Sequence, residues 1–287
     1  MDLPAPGRQA ERRVLAPRAG LGQFRWLVYG LVLGLFSFAI FGPLLNVLLW
    51  AVAEKWYFPH KLPLEYGLSF WERVFRPRGN AMESLGNSIA IALFTVTACL
   101  AVAIPAGYAL ARRSLPLRAL ILLAFLLPQA FPSLAVYINV ARIFYALGLN
   151  GTIAGVVLVH TMHGLVFAVW ISTAAFAAVD RELEEAARNI GASPLRTFLT
   201  VTLPLAAPGI MASAIFVFLE SLDEFTGTYF VGVPDVTTLP LLLFRASMEG
   251  NYQIASITAL ILLVPSVGFM LVIERFLKAD VLAKVGS

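Results

Sequence analysis

The sequence predicts an all-α membrane protein with six transmembrane helices and both termini on the cytoplasmic side. Three observations carry this reading. Of the 287 residues, 59% are hydrophobic and only 13% are charged, where a soluble domain carries about 25% charged residues. Six segments are apolar and reach the roughly 20 residues that a helical span requires. The Lys and Arg residues then divide unevenly, fourteen on one side of the six spans and seven on the other. Cytoplasmic segments hold the excess.

The elements follow in order. Residues 1–24 are rich in Arg, Pro, Gly and Ala without periodicity, as in a flexible cytoplasmic tail. The spans fall at about 25–53, 84–111, 118–141, 152–179, 206–231 and 253–275. The first is no cleavable signal, because its apolar run exceeds the length of a signal-peptide core and no small-residue cleavage site follows. Residues 25–83 are thus one span and the longest outer segment. That segment carries Trp56, Tyr57, Phe58, Tyr66, Phe70, Trp71 and Phe75, a pattern for an interfacial aromatic belt or for an external docking platform. Pro105 in the second span, and Pro128 with Pro132 in the third, should bend or break their helices. Broken backbone at membrane depth is tolerated where it is buried in protein or lines a cavity. The single Cys99 excludes an intrachain disulfide.

Residues 180–204 form a polar loop between the fourth and fifth spans. The loop is itself built like two short helices. Asp180 caps the first, with Glu182, Glu184 and Glu185 near the positive end of its dipole. Leu183, Ala186, Ala187 and Ile190 repeat at helical spacing and give it an apolar face. Gly191 suits a left-handed C-terminal cap. Ser193 caps the second helix, Pro194 fits its first turn, and Leu195, Phe198 and Leu199 form a second stripe. From physics alone this is an interfacial helix pair on lipid headgroups or a docking surface for a soluble partner.

The same residues resemble a known family. Glu185-Ala186-Ala187, then Gly191, then Val201-Thr202-Leu203-Pro204 look like the EAA loop of permease subunits of binding-protein-dependent ABC importers. Asn87-Ser88 and the run from Pro105 to Arg112 are similar to the same family. The likeness covers residues 84–287, the core permease domain, and is closest to the polyamine (spermidine/putrescine)-type permeases. The resemblance implies a type I ABC importer permease fold in a bacterial inner membrane. It implies that Glu184, Glu185, Ala186, Ala187, Gly191, Leu203 and Pro204 couple to a cytoplasmic ATPase dimer, which binds the ATP. A second permease subunit, forming a heterodimer, and a periplasmic solute-binding protein are the other implied partners. No cofactor belongs to the chain itself, and its net charge of +4 is no nucleic-acid signature.

Within the spans, the ionisable residues are the functional candidates, because a charge there costs about 2.5–3.5 kcal/mol on insertion scales. Glu220, Asp223 and Glu224 share one face if the fifth span is a continuous helix. The segment Ser221-Leu222-Asp223-Glu224 also resembles polyamine-type permeases. With Phe216, Phe225 and Tyr229 nearby, the face suits an alkylammonium solute through charge and cation–π attraction. Tyr137, Asn139, His163 and Trp170 are further pathway candidates, with Gln129. His160 and His163 share a face but lack neighbouring ligands for a metal site. They line a pathway or pack through hydrogen bonds.

The motifs leave two function classes. One is transport of a small hydrophilic solute: a polyamine or related cation, a sugar or polyol, or an aminophosphonate. The other is an intramembrane enzyme using the buried carboxylates or the His pair. Against the enzyme, the sequence holds no P-loop, HExxH or GxSxG motif. The topology itself is testable by cysteine labelling in a Cys99-free background. A cysteine replacing Lys61 or Glu249 should react with an impermeant reagent from outside, and one replacing Arg113 or Ser193 should not. Labelling of Ser193→Cys from outside would overturn the orientation.

Overall fold

The computed structural model describes residues 19–76 and 80–285. Arg8, Arg12, Arg13, Arg18 and Arg78, and most of the proposed tail, lie outside the described residues. Two compact units meet at residue 46. The first is the leading part of helix α1 (Ala19–Ala51), which is long and apolar enough to cross a membrane and contains Pro43. The second unit, from residue 47, holds everything else.

The outer segment is folded. Strand β1 (Ala53–Lys55) pairs antiparallel with β2 (Glu65–Tyr66), and helix α2 (Ser69–Phe75) follows. Glu54 accepts a hydrogen bond from the Ser69 N–H at 3.1 Å, and Trp71 Nε1 donates to the Ala51 carbonyl at 2.8 Å. Trp50 stacks on Trp56 at 4.2 Å. The aromatics therefore divide. Phe70 and Trp71 pack on a core with Ala51, Val74, Leu239 and Ile257, while Tyr57, Phe58 and Tyr66 are exposed.

The membrane core is a set of long helices. Helix α3 (Ala81–Arg112) runs through Pro105 as one unbroken element, so of the bend or break expected there, the break does not occur. The third span is broken. Helix α4 (Arg118–Ala130) and helix α5 (Ser133–Ala146) meet at a 95° bend. The bend falls where Phe131 takes an extended conformation (φ −107°, ψ 150°) ahead of Pro132, as the proline ring demands of the residue before it. Pro128 stays inside α4. The break also carries this span to residue 146, past the expected end near 141.

Helix α6 (Ile153–Ala177) is the central element and packs against both α3 and the helix of the fifth span. Its start is capped by Thr152 Oγ1, which accepts from the Gly155 N–H at 3.0 Å. Gly107 lets α3 approach it closely. A Cβ at Gly107 would lie 2.9 Å from the Thr173 nitrogen and 3.0 Å from Ser172.

The loop contains helix α7 (Arg181–Asn189), helix α8 (Pro194–Thr197) and a five-residue π-helical segment, Phe198–Thr202, which leads into helix α9 (Leu203–Asp223). The fifth span is not the single helix expected over 206–231. Helix α9 ends at Asp223, Glu224 and Phe225 are non-helical, and a short helix α10 (Thr226–Val231) follows. Helix α11 (Leu239–Met248) then lies between α10 and the last helix, α12 (Tyr252–Val285). Ser88 Oγ accepts the Leu239 N–H at 2.8 Å, and Asn87 Nδ2 donates to the Thr237 carbonyl at 3.0 Å. These two polar residues of α3 thus pin the start of α11.

Among the described residues, five helices are long and apolar enough to span a membrane, or six if the bent pair α4–α5 is one span. The close approach at Gly107 gives a direct test of this packing. Gly107→Leu should push α3 off α6 and cost about 1–3 kcal/mol, read as a lower melting temperature of the purified protein. Gly86→Leu, on the same helix with nothing within 4 Å of its Cβ position, should not lower it.

Candidate functional site

The capped loop forms as its sequence predicts. Asp180 Oδ1 accepts from the Glu182 N–H at 3.0 Å, and Ser193 Oγ accepts from the Arg196 N–H at 3.3 Å. Gly191 sits at φ +94°. Its N–H bonds the Arg188 carbonyl at 2.9 Å, and the Ala192 N–H bonds the Ala187 carbonyl at 3.1 Å. That pair of bonds is a Schellman motif, and the left-handed residue within it favours glycine.

The loop is bolted to the bundle by a group the sequence does not single out. Arg112, the last residue of α3, donates from Nε to Glu184 Oε1 at 2.9 Å and from Nη2 to the Val179 carbonyl at 2.7 Å. Thr202 Oγ1 donates to the same Glu184 oxygen at 2.9 Å. Both side chains of the ion pair are over nine-tenths buried. Breaking such a pair from one side costs about 3–5 kcal/mol. Beside it, Tyr108 meets Phe176 and Phe198 edge-to-face, with ring centroids 5.6 and 4.9 Å apart, and Phe176 and Phe198 lie tilted at 6.0 Å. The sequence carries no signal for this pair, because an Arg at the cytoplasmic end of a span is ordinary.

The loop residues consequently divide by role. Glu184 faces inward, and Leu203 packs beside Phe176 and Ala206. Ala187 is half-buried, while Glu185, Ala186, Gly191 and Pro204 are exposed. Leu183, Leu195 and Leu199 are exposed as well, and Ile190 is 89% exposed. The folded loop thus presents an uncovered aliphatic surface.

The second cluster lies where the fifth span breaks. Because α9 stops at Asp223, the three carboxylates do not share one helix face at mid-span; only Glu220 and Asp223 belong to the helix. Asp223 is exposed, and Glu220 and Glu224 are half-buried. Glu224 is firmly held. Its Oε2 accepts from Tyr137 Oη at 2.9 Å and its Oε1 from the Gly227 N–H at 2.7 Å. This supplies a partner for a backbone donor at the start of α10. Glu220 lies one helical turn before Asp223 on α9. Beyond Glu224 a cleft of about 910 Å³ is lined by Phe225, Thr226, Tyr229, Phe230 and Phe244, with Arg245 and Glu249 at its side. Phe225 and Phe244 stack at 4.6 Å.

The two histidines have different roles. His160 is buried with both ring nitrogens engaged, Nδ1 with Ser221 Oγ at 2.8 Å and Nε2 with Thr228 Oγ1 at 2.9 Å. It ties α6 to both sides of the break in the fifth span. His163 Nδ1 lies 3.4 Å from Gln129 Nε2, and its ring leans on Tyr137 at 5.3 Å. Its Nε2 is buried and has no hydrogen-bond partner among the described residues. Tyr137, His163 and Glu224 are thus brought together. Asn139 and Trp170 are not: the Asn139 amide donates to the Ala135 carbonyl of its own helix, and Trp170 sits on an exposed face of α6.

Residues 103–279 match the family described as binding-protein-dependent transport system inner membrane component. The trehalose transport system permease protein SugB of Mycobacterium tuberculosis is 31% identical over 204 residues, covering 69% of this chain and 74% of SugB. The putrescine transport system permease protein PotI of Escherichia coli is 42% identical over 94 residues, covering 32% of this chain and 34% of PotI. Among solved structures, a bacterial ABC transporter involved in the import of the acidic polysaccharide alginate aligns over 91% of this chain and 98% of that chain. The TM-score is 0.65 at 17% identity, a likeness of fold. The chain therefore belongs to the inner membrane components of binding-protein-dependent transport systems, as a multi-pass ABC permease with the type I fold.

Proposed function

We propose that this permease forms, with a second and different permease subunit, the translocation pathway for a small hydrophilic solute that carries positive charge. A periplasmic binding protein delivers the solute, and a cytoplasmic ATPase dimer docks on residues 180–204. Polyamines are the leading solute class. The observation that carries the charge preference is the run of Glu220, Asp223 and Glu224, which leads directly to Phe225, a lining residue of the aromatic cleft. Carboxylates attract an ammonium where the dielectric is low, and aromatic faces hold it by cation–π contact. The stretch of high identity to a putrescine permease supports the same reading.

One observation favours a second solute class, a neutral sugar or polyol. Glu224 is already occupied by Tyr137 and Gly227, which leaves Glu220 and Asp223 to hold a cation. Stacked aromatics also suit a sugar ring, and the likeness to a trehalose permease covers more of the chain.

For coupling, Gly191→Val forces a β-branched residue into φ +94°, at a cost of about 1–3 kcal/mol in that turn. It and Glu185→Lys should leave the protein in the membrane, reduce co-purification of the ATPase and reduce solute-stimulated ATP hydrolysis. Wild-type values for both variants would remove the docking assignment.

For the solute, Asp223→Asn combined with Glu220→Gln should lower uptake of a multiply charged amine at least tenfold while basal ATP hydrolysis persists. Each lost charge contact is worth about 1 kcal/mol or more in such surroundings. Unchanged amine uptake by this variant would raise the sugar or polyol reading above the polyamine one.

A further inference from the structure

A separate cleft lies at the cytoplasmic end of the bundle, between the end of α3 and helix α7. It has a volume of about 330 Å³ and is lined by Arg112, Arg113, Arg181 and Arg188, with Tyr108, Glu184 and Glu185. Four guanidinium groups thus face two carboxylates, and one of those carboxylates is spent. Glu184 is paired with Arg112 inside the wall. Arg181 donates only to the Ala111 carbonyl, at 3.3 Å. Among the described residues, no carboxylate lies within ion-pair distance of Arg113, Arg181 or Arg188. All three are exposed. The cleft is a concave, net-positive surface whose positive charge the protein does not neutralise.

We propose that this cleft binds the phosphate group of an anionic phospholipid headgroup from the cytoplasmic leaflet. Three features select this ligand. Guanidinium groups pair with phosphate oxygens in a bidentate geometry that a single ammonium does not offer. The level is right: Arg112 and Arg113 end one membrane-crossing helix, and Arg181 begins four residues after the end of another. Basic pockets between helices at that level hold anionic headgroups. Finally, α4 begins five residues beyond Arg113 and exposes Leu120, Leu123 and Leu127, an apolar surface for the acyl chains. A bound headgroup bridges α3 to α7 through charges the fold leaves open. The site stands on this geometry alone and does not depend on which solute is carried.

The test is lipid retention by the assembled importer in nanodiscs containing phosphatidylglycerol and phosphatidylcholine, read by native mass spectrometry. Wild type should retain phosphatidylglycerol in preference to phosphatidylcholine. Arg113→Gln should weaken that preference by about fivefold. Arg113→Lys should restore only part of it, because an ammonium lacks the bidentate geometry, and neither variant should alter ATPase co-purification. An unchanged lipid preference in the glutamine variant would overturn the proposal. So would displacement of the lipid by inorganic phosphate, which would make this a site for a soluble anion. Loss of ATPase co-purification with retained lipid preference would also overturn it, assigning Arg113 to the ATPase contact.

Discussion

Within a bilayer, every backbone N–H and C=O must find its partner inside the protein. Most of this chain meets that demand with uninterrupted helices. It departs from it at Phe131–Pro132 and at Glu224–Phe225, and one set of buried polar side chains gathers around these breaks. Glu224 takes the Gly227 N–H at the start of α10. The same carboxylate takes the hydroxyl of Tyr137, which belongs to the helix after the other break. One carboxylate therefore joins the two interruptions. His160 holds Ser221 before the second break and Thr228 after it, and Gln129 just before the first break lies against His163. In low dielectric such bonds are strong when complete and costly when broken. The broken spans are fixed by side-chain chemistry rather than left loose.

The cytoplasmic end applies the same logic to a charge. A buried ion pair is a poor source of net stability, because desolvation offsets most of the attraction. The consequence of Arg112–Glu184 is geometric. It sets the orientation of α7 relative to α3, and Thr202 extends the bond into the π-helical turn that opens α9. With α7 held this way, Ile190, Leu195 and Leu199 remain uncovered. The close approach of α3 to α6 at Gly107 gives this end a firm base. The loop is thereby joined directly to α3 and to the start of α9. The far end of α9 carries Glu220 and Asp223.

The sequence alone determined a good deal. Membrane residence, the number of spans and the location of the loop all follow from composition and run length, which are local properties. So do Asp180 and Ser193 as caps and Gly191 as a left-handed turn, because a cap bonds within three residues of itself. The break ahead of Pro132 was likewise readable, since a proline constrains its immediate neighbour. What only the tertiary structure decided depends on groups distant in sequence. Glu184 looked like a contact residue and is instead paired with Arg112, 72 residues away. Glu220, Asp223 and Glu224 looked like one helical face, but α9 ends at Asp223, where Glu224 bonds Tyr137, 87 residues away. No periodicity announces a partner on another helix, so a buried polar residue shows in sequence only that it must be satisfied. Which atom satisfies it is settled by how the helices pack.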